Sequence, residues 1–197
     1  MDAIAIKPTF SVEKAHKTQL RLAKKIAFDN KLSKRIHFVA GVDVAYVKGI
    51  SIGAAVVLDY NSLKLVESQT SLCETRFPYI PTLLSFREVP PAVLSIKKLF
   101  VQPDVFLVDG HGVAHPYRCG FASHLGIVIG KPTIGVAKGR LFGEVESVKA
   151  DKDVAFLKHD GEVVGAQVLT KHGYKPVYVS VGHMVSLKTA IKIGSFQ

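Results

Sequence analysis

The sequence predicts a single α/β domain built on a mixed sheet, and three observations carry that expectation. Three apolar runs, His37 to Tyr46, Ile50 to Leu58 and Leu63 to Thr70, follow one another through short turns at Lys48-Gly49 and Asp59-Tyr60-Asn61-Ser62, the pattern of an antiparallel meander. Beyond them, short apolar runs alternate with helical patterns, as parallel strands joined by crossover helices do. No repeat, linker or low-complexity stretch divides the 197 residues, a length that suits one domain with a sizeable core.

The elements follow in order. Ser11 to Asp29 reads as an amphipathic helix. Val12, Ala15, Leu22, Ala23 and Ile26 recur at near-helical spacing, Lys14, Lys17, Arg21, Lys24 and Lys25 take most other positions, and Asn30 is the stop. After the meander, Pro78, Pro81, Pro90 and Pro91 punctuate the chain and predict short helices with well-placed ends. Pro91 suits the first turn of a helix reaching about Phe100. Val105 to Val108 reads as a strand buried on both faces, within the parallel part of the sheet. A helix over Phe121 to Ile129, closed by Gly130 and Pro132, leads into a strand at Thr133 to Ala137. Strand signals at Glu162 to Thr170 and Pro176 to Val181 precede a last helix at Ser186 to Ile193.

Composition narrows the partners. The net charge is +10, with nine basic residues against three acidic ones between Met1 and His37. A phosphate backbone is the commonest partner for such a surface, an anionic membrane or mere solubility being the other readings. No run of apolar residues is long enough for a transmembrane span. Met1 to Phe10, with Asp2, Lys7 and Pro8, does not read as a secretory leader. Cys73 and Cys119 show no CxxC spacing, which argues against structural zinc or a disulfide scaffold but leaves a single bridge open. A cytoplasmic monomer is the expectation.

Three acids stand where burial would be costly. Asp43 interrupts the apolar run Phe38 to Ala45, and a carboxylate inside a strand costs several kcal/mol (roughly) unless paired or metal-bound. Asp109 closes the strand at Val105 to Val108, and open sheets place ligands at the carboxyl ends of parallel strands. Glu88 precedes the Pro90-Pro91 break and can project from an element end toward the same place. Oxygen donors without a cysteine partner suit Mg2+, with Mn2+ as substitute. Each acid also has an ordinary reading: Asp43 taking backbone N–H groups at a bulge, Asp109 opening a turn, Glu88 pairing with Arg87.

Around them lie further polar groups. Gly110, His111 and Gly112 follow Asp109, two glycines that allow backbone to approach a ligand closely. His111 and His115 are candidates to hydrogen-bond a phosphate or water, whereas His124 reads as a packing or capping residue. Lys138, at the end of the next strand, falls near Asp109 if the two strands are neighbours. The glycine spacing matches neither a dinucleotide nor a P-loop fingerprint.

At this point the motifs themselves resemble a family. Gly41-Val42-Asp43-Val44-Ala45-Tyr46, Pro78-Tyr79-Ile80-Pro81 continuing to Arg87-Glu88, Val108-Asp109-Gly110-His111-Gly112 continuing to His115-Pro116, and Pro132 to Lys138 are similar to four motifs of endonuclease V. The resemblance runs from about residue 10 to about residue 190. It implies an RNase H-like fold and a magnesium-dependent cut at the second phosphodiester bond 3′ to hypoxanthine, leaving a 3′-hydroxyl and a 5′-phosphate. By motif, Asp43, Glu88 and Asp109 correspond to the acidic metal site, His115 to an active-site histidine and Lys138 to the catalytic-site lysine. His183 corresponds to a later histidine near the site, and Pro78, Tyr79, Ile80 and Pro81 to the wedge placed at the lesion. A stiff loop with two prolines suits that task, because an aromatic ring and Ile80 can fill the gap left by a departing base. Two positions depart from the pattern: Tyr117 stands where arginine commonly follows His-Pro, and Thr82 where glycine is common.

The expected function is therefore repair of deaminated adenine in DNA containing deoxyinosine. The alternatives are an endoribonuclease acting on inosine-containing RNA and a non-catalytic RNase H-like nucleic-acid-binding module. A pure binder has no reason to set three acids beside phosphates.

Overall fold

The computed structural model describes residues 11–147 and 153–195, so the reading of Met1 to Phe10 lies outside the described residues. The first helix, α1 (Val12–Ala23), begins where its cap does, with Ser11 Oγ accepting the Lys14 N–H. It ends well before Asp29. The backbone beyond it has other partners: Ala27 N–H donates to His183 Nδ1, and Ala27 O accepts from Met184 N–H. Ile26 is buried as expected, whereas Val12 is exposed.

The meander forms β1 (Phe38–Val47), β2 (Ile50–Asp59) and β3 (Leu65–Glu74). Leu63 lies in the preceding turn with φ +54°, so β3 starts later than its apolar pattern and runs to Glu74. Next come α2 (Leu84–Ile96), β4 (Val105–Asp109), α3 (Phe121–Ile129) and β5 (Thr133–Ala137). The chain then forms β6 (Glu144–Ser147), β7 (Val154–His159), β8 (Glu162–Val168), β9 (Val177–His183) and α4 (Leu187–Gly194). One sheet joins all the strands in the order β3-β2-β1-β4-β5-β9-β8-β7-β6. Its first half, an antiparallel meander extended by the parallel strands β4 and β5, is the RNase H-like arrangement.

The prolines do not end a helix. Pro90 and Pro91 both lie inside α2, where they lack the N–H groups that would serve the carbonyls of Phe86 and Arg87. Tertiary packing overrides the local preference: Val89, Pro91, Ala92 and Ser95 are buried, and the Pro91 carbonyl accepts the Ser71 hydroxyl at 2.7 Å. Glu88 therefore projects from mid-helix and not from an element end. The strands β6 and β7 leave little trace in the sequence, because β6 is only four residues with one apolar side chain, Val145, and the apolar run of β7 is the short Val154 to Leu157.

Two apolar layers hold the sheet. On one face Ala40, Val42, Phe106 and Val108 pack against Val89 and Ala92 of α2 and Phe121 and Leu125 of α3. On the other, Val39, Val105, Ile134 and Val181 pack against Ala190 and Ile193 of α4 and against Ile26. Among the described residues no helix is long and apolar enough to cross a membrane.

Candidate active site

Parallel pairing brings the acids together. β1 and β4 pair with Val42 opposite Val108, so Asp43, midway along β1, and Asp109, the last residue of β4, are the next neighbours in register. Asp109 in turn lies opposite Val136 of β5, and Lys138, two residues further, shares that face. Lys138 Nζ donates to Asp109 Oδ2 at 2.6 Å, and the carboxylate raises the lysine pKa further. This neighbour relation is the one expected from the strand ends.

Burial falls elsewhere than the sequence suggests. Asp43 is exposed, its Oδ1 accepting the Val44 N–H at 2.7 Å, and the Asp109 side chain retains 33% exposure. The desolvated acid is Glu88. Its pKa is raised to about 7, first by burial, then by the charges of Asp43 and Asp109, with Arg87 opposing. Arg87 does not cap Glu88 as a simple pair. Its guanidinium carbon sits 3.9 Å from the Tyr46 ring centroid, and burial with the nearby Glu88 pushes the Tyr46 hydroxyl up to about 12.

Asp109 stands between two hollows. One is a groove of about 460 Å3 on the open sheet face, floored by Gly41, Val56, Leu107 and Val136, with Asp43 and Lys138 at its rim. The other, about 290 Å3, separates the Pro78–Pro81 loop from the acids and is lined by Tyr79, Pro81, Glu88, His111, His115 and Leu141. Tyr79 is 69% exposed, so the loop's aromatic ring is presented to solvent and not to the core. Leu141 was not singled out by sequence reasoning, since a lone leucine after Gly139-Arg140 carries no signal.

The histidines divide by position. His115 is buried, with Nδ1 accepting the Tyr117 N–H at 3.1 Å, and burial lowers its pKa to about 4. It is thus neutral at pH 7 and acts as a hydrogen-bonding group, not a charge. His111 is also held neutral by burial and bonds the Gly139 backbone. His124 is a packing residue as expected, with Nδ1 3.1 Å from Ser85 Oγ and its ring edge-on to Phe86. His183 does not join the site. It pairs with Thr133 at the opposite end of β5 from Lys138, and its Nδ1 is taken by Ala27 N–H.

The glycines after Asp109 also divide. Gly110 lines the smaller hollow beside Phe121. Gly112 is buried against β9, where an added Cβ would lie 2.0 Å from the Val181 carbonyl oxygen. Its missing side chain serves loop packing, not ligand approach. Gly112→Ala is expected to lower unfolding stability by about 3 kcal/mol, read as a shifted urea midpoint. An unchanged midpoint would refute this close packing.

The donor set suits a hard divalent cation: three carboxylates stand close together, and burial, reinforced by the charges of Asp43 and Asp109, raises the Glu88 pKa to about 7. Among the described residues no three His, Cys, Asp or Glu side chains enclose a common point, so the cluster is open, with Lys138 on Asp109 as its positive charge.

Comparison with known proteins extends over nearly the whole chain. The Endonuclease V family model matches residues 20–195. An endonuclease V of Thermofilum pendens is 48% identical over 184 residues, covering 93% of this chain and 78% of its own. The crystal structure of endonuclease V from Streptomyces avermitilis superposes with a TM-score of 0.87 at 39% identity, over 98% of this chain and 86% of that one. An endonuclease V of Ciona intestinalis, crystallised with a 24mer DNA containing an inosine followed by a ribo-adenosine, gives a TM-score of 0.82 at 32% identity, over 94% and 88% of the two chains.

Proposed function

Since the chain belongs to the endonuclease V family, we propose that it nicks DNA containing deoxyinosine at the second phosphodiester bond 3′ to the lesion, leaving a 3′-hydroxyl and a 5′-phosphate. The observation that carries this reading is the hollow between Tyr79 and Pro81 on one side and Glu88 and Asp109 on the other. A base can enter such a hollow only after leaving the stack, and the exposed Tyr79 ring on a proline-stiffened loop can take its place. Unstacking costs a few kcal/mol (about), less at a mismatch, which favours a deaminated base.

Asp43, Glu88 and Asp109 are the residues to hold Mg2+, with Mn2+ a substitute. Bound there, such an ion supplies Lewis acidity that lowers the pKa of water and offsets charge on a transferring phosphoryl group. The chain's own groups do the rest. Burial first, and then repulsion from Asp43 and Asp109, favours a proton on Glu88, and a cation held by these residues would favour its carboxylate form. Lys138, already drawn to Asp109, places an ammonium at the strand ends where phosphate charge develops. His115, neutral and fixed through Nδ1, orients its partner without adding charge. The exposed basic side of α1, with Lys14, Lys17 and Arg21, and the turn after it, with Lys24 and Lys25, add phosphate affinity.

Three substrates test the reading: matched strands with one deoxyinosine in DNA, one inosine in RNA, or adenine in either. Magnesium-dependent nicking of the deoxyinosine strand over its adenine control is expected. Stronger nicking of the RNA strand would reassign the substrate to inosine-containing RNA, and equal rates on lesion and adenine would remove the specificity claim. Tyr79→Ala is expected to lower duplex cleavage by roughly tenfold, a loss of about 1–3 kcal/mol of base stacking. An unchanged duplex rate would deny Tyr79 the wedge role.

A further inference from the structure

The Pro78–Pro81 loop is held at both ends, and the two anchors differ. At its start, Phe77 stacks on Phe86 of α2, with ring centroids 5.5 Å apart. At its end, Thr82 adopts φ +70°, a left-handed conformation that a β-branched residue keeps only where surrounding contacts over-determine it. Those contacts come largely from α1, the helix whose exposed side is basic. Gln19 Nε2 donates to Thr82 O at 2.7 Å and to Cys119 O at 3.1 Å, and His16 Nε2 lies 3.2 Å from Thr82 Oγ1. The His16 ring also stacks on Tyr117, with centroids 4.0 Å apart and planes 14° from parallel.

Gln19 is fully buried, and its two acceptors are both carbonyls, so only the NH2 end of the amide can serve them. Its Oε1 has no hydrogen-bond partner among the described residues. A buried amide left half unsatisfied is destabilising by itself, which is hard to explain as simple core filling. Its donor fork ties together two segments distant in sequence: the end of the loop at Thr82 and the turn His115 to Cys119. That turn carries His115, itself hydrogen-bonded to the Thr82 backbone.

We propose that Gln19 and His16 are positioning residues for the Pro78–Pro81 loop, α1 acting as a brace that fixes how far Tyr79 reaches toward a base stack. The inference rests on the wedge reading above and adds to it the element that sets the wedge. It predicts a dependence on substrate form. Duplex DNA must be opened by the loop, whereas a single strand offers the base already free of its partner.

The test uses the full chain with magnesium and one deoxyinosine, in duplex and in single-stranded DNA. Gln19→Leu is expected to lower kcat/KM on the duplex by roughly tenfold or more, since two carbonyls lose their donor, and to leave single-strand cleavage unchanged. A 2-aminopurine beside the lesion, which brightens on unstacking, is expected to stay dim in the variant's duplex complex. Thr82→Ser, which keeps the hydroxyl facing His16, is expected to retain the duplex rate, and Thr82→Val and His16→Ala to lose it. If Gln19→Leu fails to fold, the Thr82 and His16 variants carry the same comparison. Equal losses on duplex and single strand, or Ser and Val variants alike at position 82, would overturn the brace. A wild-type protein without preference for deoxyinosine would instead remove the wedge reading, and the inference with it.

Discussion

Asp109→Asn is expected to fold and bind nucleic acid as the wild type does, yet to lose roughly a thousandfold or more of its magnesium-dependent cleavage. Asp109 is the point on which the site converges: it follows Val108 in register beside Asp43, receives Lys138 Nζ at 2.6 Å, and raises the pKa of Glu88. The amide keeps the size and some hydrogen bonding but removes the charge that draws in both lysine and cation. Gel shifts without metal and a thermal melt check binding and fold, and a nicking assay checks chemistry. Cleavage within a few-fold of wild type would remove Asp109 from the mechanism.

The second large effect concerns Glu88, where stability and activity should move in opposite directions. Its folded pKa of about 7 exceeds the ordinary carboxyl value of 4.5. Between those two values the folded state binds more protons than the unfolded one, so stability falls as pH rises from 4.5 to about 7 and stays lowered above it. Glu88→Gln escapes that penalty. In chelator at pH 8 it is expected to be more stable than wild type by up to about 3 kcal/mol, with the difference vanishing below pH 4.5. Added magnesium is expected to stabilise wild type more than the variant, because binding linked to a lost carboxylate is weaker. Cleavage by the variant should nonetheless be nearly abolished. Urea melts at the two pH values check the linkage, and a variant less stable than wild type at pH 8 in chelator would contradict it.

These residues also show how far the sequence could be read. The meander, the β4 strand, α3 and β5 were legible because period-two or uniformly apolar runs sat between unambiguous turns. The juxtaposition of Asp109 and Lys138 followed from strand ends alone. Burial was not legible. An acid inside an apolar run looks costly, but Asp43 lies where the sheet face is open, and the desolvated carboxyl proved to be Glu88, on a helix hidden by two prolines. Those prolines read as a break since local chemistry disfavours them mid-helix, and packing on the sheet and on α3, invisible in the sequence, keeps α2 intact. His183 illustrates the same limit: its motif matched, but β9 runs antiparallel to β5 and delivers it to the far end of the sheet. Gln19 did leave a trace, a polar residue four positions after Ala15 on the inner face of α1. The periodicity alone gave no reason to connect it with a loop more than sixty residues away.

The central claim, that Asp43, Glu88 and Asp109 direct a metal-dependent cut beside a deaminated adenine, is tested most directly by mapping the ends of a nick. The substrate is an end-labelled DNA duplex with one deoxyinosine, incubated with the protein in magnesium or in chelator. The account predicts a nick only in magnesium, at the second phosphodiester bond 3′ to the lesion, with a 3′-hydroxyl that a polymerase extends and a 5′-phosphate that a ligase accepts. A nick in chelator, or one whose position ignores the lesion, would contradict it.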